Sequence, residues 1–286
     1  MNTAMNTVNQ TFNWSRFTAA LRKELVENKR AILFTLLGTY GLLTIIMIIG
    51  NLSGSNTATE DMLAYYMPQK FVWFILSFAS MIVASLAFRK LTSKTGRIEM
   101  LTSPSSMFEK YLVNTMIYVF GYIVAFFICA QLADLTRVIV LLPFKGEHLM
   151  VPGPISFLNL IPDAADGFGF GTAAPGNPGM WFAINMGIGL LAGPGLFLLG
   201  SVLWPRLSWL KTFAAIYGIQ TIFGITIMLV AMNIKDMEAV GYWVMNHLEQ
   251  IMIAMTVLSV LMTILYWGLS WYLFKRKDVV SLKWWK

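Results

Sequence analysis

The chain has 286 residues, of which 57% are hydrophobic, 14% aromatic and only 12% charged. Soluble domains carry about 25% charged residues, so this composition excludes an ordinary soluble enzyme or binding domain. The net charge of +7 suits contact with an anionic membrane surface, and no motif for binding nucleic acid accompanies it.

The first predicted element is an amphipathic entry helix over residues 12–30. Its apolar positions recur at helical spacing, and charged residues occupy the other faces. The apolar positions are Trp14, Phe17, Leu21 and Leu25. Such a helix lies in the membrane interface, either as a simple anchor or as a contact for a partner helix. The residues before it lack the features of a cleavable signal peptide, so we expect the first span to be an uncleaved anchor.

Six further stretches are each apolar and long enough to cross a bilayer as a helix. A hydrocarbon core of about 30 Å needs roughly 20 helical residues, whereas a strand barrel shows alternating segments of about ten residues. The predicted spans are approximately residues 31–50, 71–88, 111–133, 181–204, 212–232 and 251–274. The sequence therefore predicts an all-α membrane protein, with six transmembrane helices in a single domain over residues 1–286.

Lysine and arginine are distributed unevenly between the two sides of these spans. Of the 21 basic residues, 17 fall in the N-terminal segment, the second-to-third connection, the fourth-to-fifth connection and the tail. Because basic loops stay inside, both termini are predicted to be cytoplasmic, in a multi-pass protein of the cell (inner) membrane. The predicted spans contain no Asp, Glu, Lys, Arg or His, which disfavours an ion-coupled secondary transporter.

The charged segment 96–112, which covers most of the second-to-third connection and the first residues of the third predicted span, reads GRIEMLTSPSSMFEKYL. Ser106 and Glu109 form a capping box before an apolar run, so a helix should start near Ser106 and continue into the third span. Pro104 separates it from a short preceding helix. The apolar side chains of this segment are Met100, Met107 and Phe108. They suit docking into a groove of another protein, and equally suit burial in headgroups or against neighbouring spans.

The third-to-fourth connection, residues 134–180, is predicted to be a long external loop rich in Gly, Pro and Ala. Its acidic residues are scattered, so a solvated loop is expected rather than a cation site. They are Asp134, Glu147, Asp163 and Asp166. The two histidines, His148 and His247, form no zinc-spaced pair. The GFGFGT stretch at 167–172 lacks a third glycine at the spacing of a dinucleotide-binding loop, so we interpret it as a flexible loop.

Two features inside the predicted spans have simple structural interpretations. Cys129, the only cysteine, is expected to be a small buried hydrophobe. In the fourth span, Gly189, Gly193 and Pro194 permit close helix packing and a kink. A packing seam is the simpler interpretation, and a gating hinge is the alternative.

The layout as a whole resembles the permeases of ATP-binding-cassette (ABC) exporters of the type-2 class. The resemblance comes from the entry helix, six spans, the charged second-to-third connection and the ending SWYLFKRKD. The strings LTSPSSMFEKYL and LFLLGSVLWPRLSWLKT are similar to those of a compact bacterial subgroup. The external loop departs from the short hairpin that many relatives have there.

The resemblance implies a partner ATPase that contacts the entry helix and the second-to-third connection. Two permease subunits, as a homo- or heterodimer in the lipid bilayer, would form the pathway. ATP and magnesium would bind the ATPase, so this chain would hold no cofactor, no metal and no catalytic residue of its own. The implied ATPase-coupling residues are Arg97, Glu99, Ser105, Ser106, Met107, Phe108, Glu109 and Lys110. The implied entry-helix contacts are Trp14, Phe17 and Leu21.

We therefore expect a permease subunit that exports a substrate using ATP hydrolysis in a separate chain. The main alternative is a non-transport membrane subunit, for assembly or signalling, that recruits a cytoplasmic partner through the same segment. An ion-coupled secondary transporter is the third possibility. The sequence does not identify the substrate.

Overall fold

The computed structural model describes residues 12–52, 58–145, 178–234 and 237–276. Within these ranges 91% of the residues are helical and none forms a strand, which confirms the all-α class. Five helical segments are long and apolar enough to span a membrane: Lys29–Leu52, Met107–Phe144, Met180–Leu203, Ser208–Met232 and Leu248–Lys275. A sixth apolar stretch, Val72–Ser85, is shorter and corresponds to the predicted second span.

The chain enters the bundle through α1 (Trp14–Glu27), which is the predicted entry helix. Asn13 caps it, because its Oδ1 accepts the backbone N–H of Ser15 at 2.9 Å. A single residue, Asn28, separates α1 from α2 (Lys29–Leu52). α3 (Ala58–Ser85) follows.

The predicted second-to-third connection contains three short helical pieces. A 3₁₀ turn over Arg89–Thr92 leads into α4 (Lys94–Thr102), whose N-terminus is capped by Ser93. α5 (Met107–Thr115) begins directly after Ser106, where the capping box predicted it. The short helix, the Ser-Pro break and the second helix are thus confirmed.

From α5 the helix runs on without interruption. A π-helical segment over Met116–Gly121 joins α5 to α6 (Tyr122–Lys145). The prediction that an external loop begins at residue 134 is therefore wrong, since residues 134–145 continue the helix. The apolar stretch RVIVLLPF extends it, and Pro143 lies in its last turn, where it removes only one backbone hydrogen bond.

The C-terminal half comprises α7 (Pro178–Leu203), α8 (Ser208–Met232), α9 (Met237–Asn246) and α10 (Leu248–Lys275). The turn between α7 and α8 places Leu207 in the left-handed region, with φ of 53°. α9 is a short helix within the predicted fifth-to-sixth connection, where no helix was predicted.

Three helix–helix contacts make up most of the bundle. α7 packs against both α10 and α3, and α2 packs against α6. Polar side chains join two of these pairs: the hydroxyls of Thr39 in α2 and Tyr122 in α6 lie 3.1 Å apart, and Asn185 Nδ2 of α7 donates to Thr256 Oγ1 of α10 at 2.6 Å. Hydrogen bonds of this kind hold helices together where lipid removes the hydrophobic driving force.

Some of the glycines of α7 form part of its packing seam, as the sequence suggested for Gly193. A Cβ at Gly193 would collide with the side chain of Met81, and one at Gly195 would meet the indole of Trp267. Gly189, by contrast, faces open space. Close packing is thus confirmed for Gly193, and α7 continues through Pro194 without a break.

Among the described residues, α8 packs against the bundle near its beginning. Phe213 and Ile216 pack beside Phe197 of α7. Every residue over 217–230 is exposed on all sides of the helix. The outer part of α8 therefore offers a long apolar surface to lipid or to another subunit.

Candidate functional site

A buried carboxylate fastens α1 to the start of α5. Glu109 is fully buried, and its Oε2 accepts the backbone N–H of Ser106 at 2.7 Å. Its Oε1 accepts the backbone N–H of Asn13 at 2.7 Å and the guanidinium of Arg16 at 3.1 and 3.3 Å. The capping box is confirmed, and the same carboxylate also fixes the first turn of α1.

A lysine from the 3₁₀ turn makes a second attachment. Lys90 Nζ lies 2.7 Å from carboxylate oxygens of both Glu24 and Glu27 on α1. Burial alone lowers the pKa of Lys90, but hydrogen bonds to the two carboxylates outweigh it, so the pKa lies above the usual 10.5. The hydrogen bond from Lys90 lowers the pKa of Glu27 below 4.5.

α4 is joined to α1 by a weaker and more exposed contact. Lys23 Nζ lies 3.2 Å from Glu99 on α4 and 3.5 Å from Glu27. About half of each side chain of the Lys23–Glu99 pair is exposed, so this pair contributes little stability. α1, α4, α5 and the 3₁₀ turn nevertheless form one connected unit, which we call the platform.

An aromatic patch covers one part of the platform, formed by Phe12, Trp14, Phe17 and Phe108. The ring of Phe12 lies 5.7 Å from Phe17 and 6.3 Å from Phe108. Trp14 is 68% exposed and Phe108 is 41% exposed, whereas Phe17 is buried. Exposed aromatic side chains beside charged ones are typical of the anchors of protein interfaces.

The structure brings most of the candidate coupling residues together, but it divides them by exposure. Glu99, Phe108 and Trp14 lie on the surface, and the rings of Trp14 and Phe108 both approach Phe12 at 6.3 Å. Glu109, Lys110 and Phe17 are buried within the chain. The exposed residues form the accessible surface of the platform, and the buried ones lie beneath it.

The remaining candidates are partly buried. They are Leu21, Arg97, Ser105, Ser106 and Met107. Met107 packs against an internal cluster that contains Phe88, Tyr111 and Phe274, so its side chain belongs largely to the interior.

A pocket of about 250 Å³ lies between α1, the 3₁₀ turn, α4 and α5. Its wall includes the hydroxyl-bearing residues Ser103 and Ser105, and charged residues from all four elements of the platform. Those charged residues are Arg16, Lys23, Glu24, Lys90, Glu99 and Lys110. The platform therefore presents a concave feature whose wall carries both basic and acidic side chains, several of them paired with one another.

Sequence analysis missed a charged pair buried in α6. Arg137 is 1% exposed, and its Nε donates to Asp134 Oδ1 at 2.8 Å. Its Nη1 donates to Asn51 Oδ1 of α2 at 3.2 Å. The prediction that Asp134 belongs to a solvated loop is wrong, because the helix continues past it. Opposite charges three residues apart, as at Asp134 and Arg137, are the sequence signal that would have indicated a helix here.

The described residues contain no group of three or more His, Cys, Asp or Glu side chains that could hold a metal. Cys129 is buried, as predicted. His247 is partly buried, and its ring stacks on Trp243 at 4.7 Å. Glu147, His148, Asp163, Asp166 and the glycines at 167–171 lie outside the described residues.

The platform is thus a mainly ionic assembly with an exposed aromatic patch, built on the first turns of the helix that continues as α6. Comparison with protein-family models, with curated proteins and with solved structures finds no significant match.

Proposed function

We propose that the chain is the membrane-spanning permease subunit of an ABC exporter of the type-2 class, driven by a separate ATPase. In this proposal six helices cross the cell (inner) membrane and both termini are cytoplasmic. The observation that carries the proposal is the attachment of the platform to the base of one long helix. Residues 107–145 form a helical rod of roughly 58 Å, about twice the hydrocarbon thickness.

This attachment supports a mechanical role for the platform. Glu109 ties α1 to α5 at the foot of the rod, and Lys90 ties α1 to the end of α3 through the 3₁₀ turn. A partner that pushes on α1 or α4 therefore also displaces α5. Alternation between inward and outward arrangements would follow, since packed helices move as rigid bodies against one another.

The proposed partners match the surfaces that the chain leaves exposed. The ATPase, which binds ATP and magnesium, meets the aromatic patch and the adjacent pocket. A second permease subunit, identical or different, covers the outer part of α8, and lipid surrounds the remaining apolar surface. The chain itself is a transport subunit and not an enzyme, and it binds no cofactor.

One observation favours a different function. The spans defined from the sequence contain no charged residue, yet Asp134 and Arg137 are buried in the helix that continues the third span. Buried charges in spanning helices often mark ion pathways. An ion-coupled secondary transporter is therefore the second candidate.

The test removes the exposed aromatic anchors and keeps the interior intact. Trp14→Ser combined with Phe108→Ser should abolish co-purification with an ATPase from native membranes, because interface anchors commonly contribute about 2 kcal/mol or more each. ATP-stimulated transport in vesicles should be lost as well. Met107 is left unchanged because it packs inside the chain.

The matched control changes two exposed aromatics far from the platform, Phe144 and Trp243, to Ser. It should keep both the partner and the activity. A Trp14/Phe108 variant that retains its ATPase would refute the docking assignment. Transport by the chain alone that stops when an uncoupler is added would favour the ion-coupled alternative.

A further inference from the structure

A large groove lies on the bundle flank beside the platform, between the α1–α2 junction and the π-helical segment. Its volume is about 820 Å³, which falls within the range of about 300–1,000 Å³ typical of sites for small ligands. Most of its wall is apolar, including Leu25, Ile32, Leu36, Ile117 and Ala125. An elongated apolar group would fit such a groove.

The groove opens toward the lipid. Phe120, Val124 and Ile128 form one edge of it, and each is between 41% and 62% exposed. They are four residues apart and so lie on one face of the helix, within a segment apolar enough to span a membrane. An occupant can therefore enter sideways from the bilayer.

Charged residues stand at only one end of the groove, near the platform. Of the three that line it, Glu24 and Lys90 pair with each other at 2.7 Å, while Arg89 is exposed. Glu27, which does not line the groove, shares Lys90.

Two more exposed basic residues, Lys29 and Arg30, fall in the chain between the lining residues Asn28 and Ala31. Neither lines the groove, and Arg30, two positions from both Asn28 and Ile32, falls on the opposite face of the helix. An apolar groove with the exposed Arg89 in its wall, and with Lys29 next to the lining residue Asn28 in the chain, is complementary to an amphiphile with a negatively charged head.

We propose that this groove binds one acyl chain of an anionic phospholipid from the leaflet on the platform side, with the headgroup phosphate at Arg89 and Lys29. The site is separate from the aromatic patch and requires neither ATP nor a partner. Because a basic residue near an anionic lipid contributes about fivefold to binding, the headgroup charge should decide which lipid is bound.

The experiment uses the full chain reconstituted in phosphatidylcholine vesicles with a photoreactive lipid. One sample carries phosphatidylglycerol with a diazirine in one acyl chain, and the other carries phosphatidylcholine with the same chain. After illumination, the labelled peptides are mapped. The phosphatidylglycerol probe should label residues 116–128 about fivefold more than the phosphatidylcholine probe.

Two variants act on different parts of the site. Arg89→Glu should reduce labelling by phosphatidylglycerol at least about fivefold, and Ala125→Phe should block labelling by filling the groove. Lys211→Glu and Leu132→Phe are the matched controls, since both residues are exposed and neither lines the groove. Resistance to proteolysis checks that each variant is folded.

Equal labelling by the two probes would overturn the proposal, because the groove would then accept chains without recognising the headgroup. Absence of labelling would overturn it too, since another protein segment would then cover the groove. So would labelling that persists in either groove variant at the level of its control.

Discussion

At the scale of single residues, Glu109 has the most demanding position in the described structure. Its side chain is fully buried, and it accepts hydrogen bonds from two backbone N–H groups and from one guanidinium. Burying a carboxylate is costly unless it is paired and fully hydrogen-bonded. Glu109 satisfies this condition only while Asn13 and Arg16 remain in place, so α1 and α5 depend on one another.

Replacement of Glu109 by Gln tests this dependence. Judged by the capping motif alone the change is mild, because Gln suits the motif as well as Glu. The structure indicates a larger effect, since Gln offers one acceptor oxygen where Glu109 uses two, and its amide N–H₂ would face a donor. We expect a loss of about 1–3 kcal/mol in the attachment of α1, measured by cross-linking between cysteines placed on α1 and α5.

The control for that experiment is Glu99→Gln. Glu99 also pairs with a basic residue of α1, Lys23, but both side chains are about half exposed, so its loss should cost at most about 1 kcal/mol. Equal cross-linking yields in the two variants would show that the buried carboxylate has no special role.

At the scale of helices, α1 is held against the rest of the platform chiefly by ionic contacts, so this attachment should depend on pH. The pKa of Glu27 is lowered, so its contribution is complete above 4.5 and is lost as the pH falls through the lower value in the folded protein. The pKa of Lys90 is raised, so its contribution is complete below 10.5 and is lost as the pH rises through the higher value.

We therefore expect the distance between α1 and α4 to stay constant between these pH values and to increase beyond both. Spin labels at Arg22 and Lys94, both exposed, would report it in reconstituted vesicles. Lys90→Met removes the shared partner and should weaken the dependence at both extremes. A wild-type distance that stays unchanged at both extremes would contradict the ionic attachment.

The sequence predicted the helices of the platform well because their signals are local. The capping box lies within four consecutive residues, and the apolar spacing of α1 lies within four turns. The attachments were not predictable in this way. Lys90 is 63 and 66 residues from its partners, and Arg16 is 93 from Glu109, so no short pattern connects them.

Hydropathy placed the end of the third predicted span too early, because a charged pair interrupts an apolar run there. Asp134 and Arg137 lowered the local hydropathy, which ended the predicted span at residue 133. The helix continues because the two charges neutralise each other on one face at 2.8 Å, and Asn51 accepts a further hydrogen bond. For Phe17, the apolar spacing of α1 was correct, but its side chain is buried within the chain beside Phe12 and Trp14.

At the scale of the whole molecule, the distribution of basic residues makes a testable prediction about orientation. A cysteine at Asn246, at the end of α9, should react with an impermeant maleimide in intact cells, and one at Ser105 should not. The background should be Cys129→Ala, although the buried thiol should itself react little. Equal labelling at both positions would overturn the predicted orientation of the termini.

The π-helical segment between α5 and α6 has a consequence for the proposed transport mechanism. Each residue of an α-helix advances the chain by about 100° around the axis, so the wider turn at Met116–Gly121 puts α5 and α6 out of phase by up to that angle. Tightening this turn would rotate α5 about its own axis while α6 stays in its packing. If a partner drives the platform as proposed, the helix would convey torque as well as thrust, because twisting at its foot requires no sliding along its length.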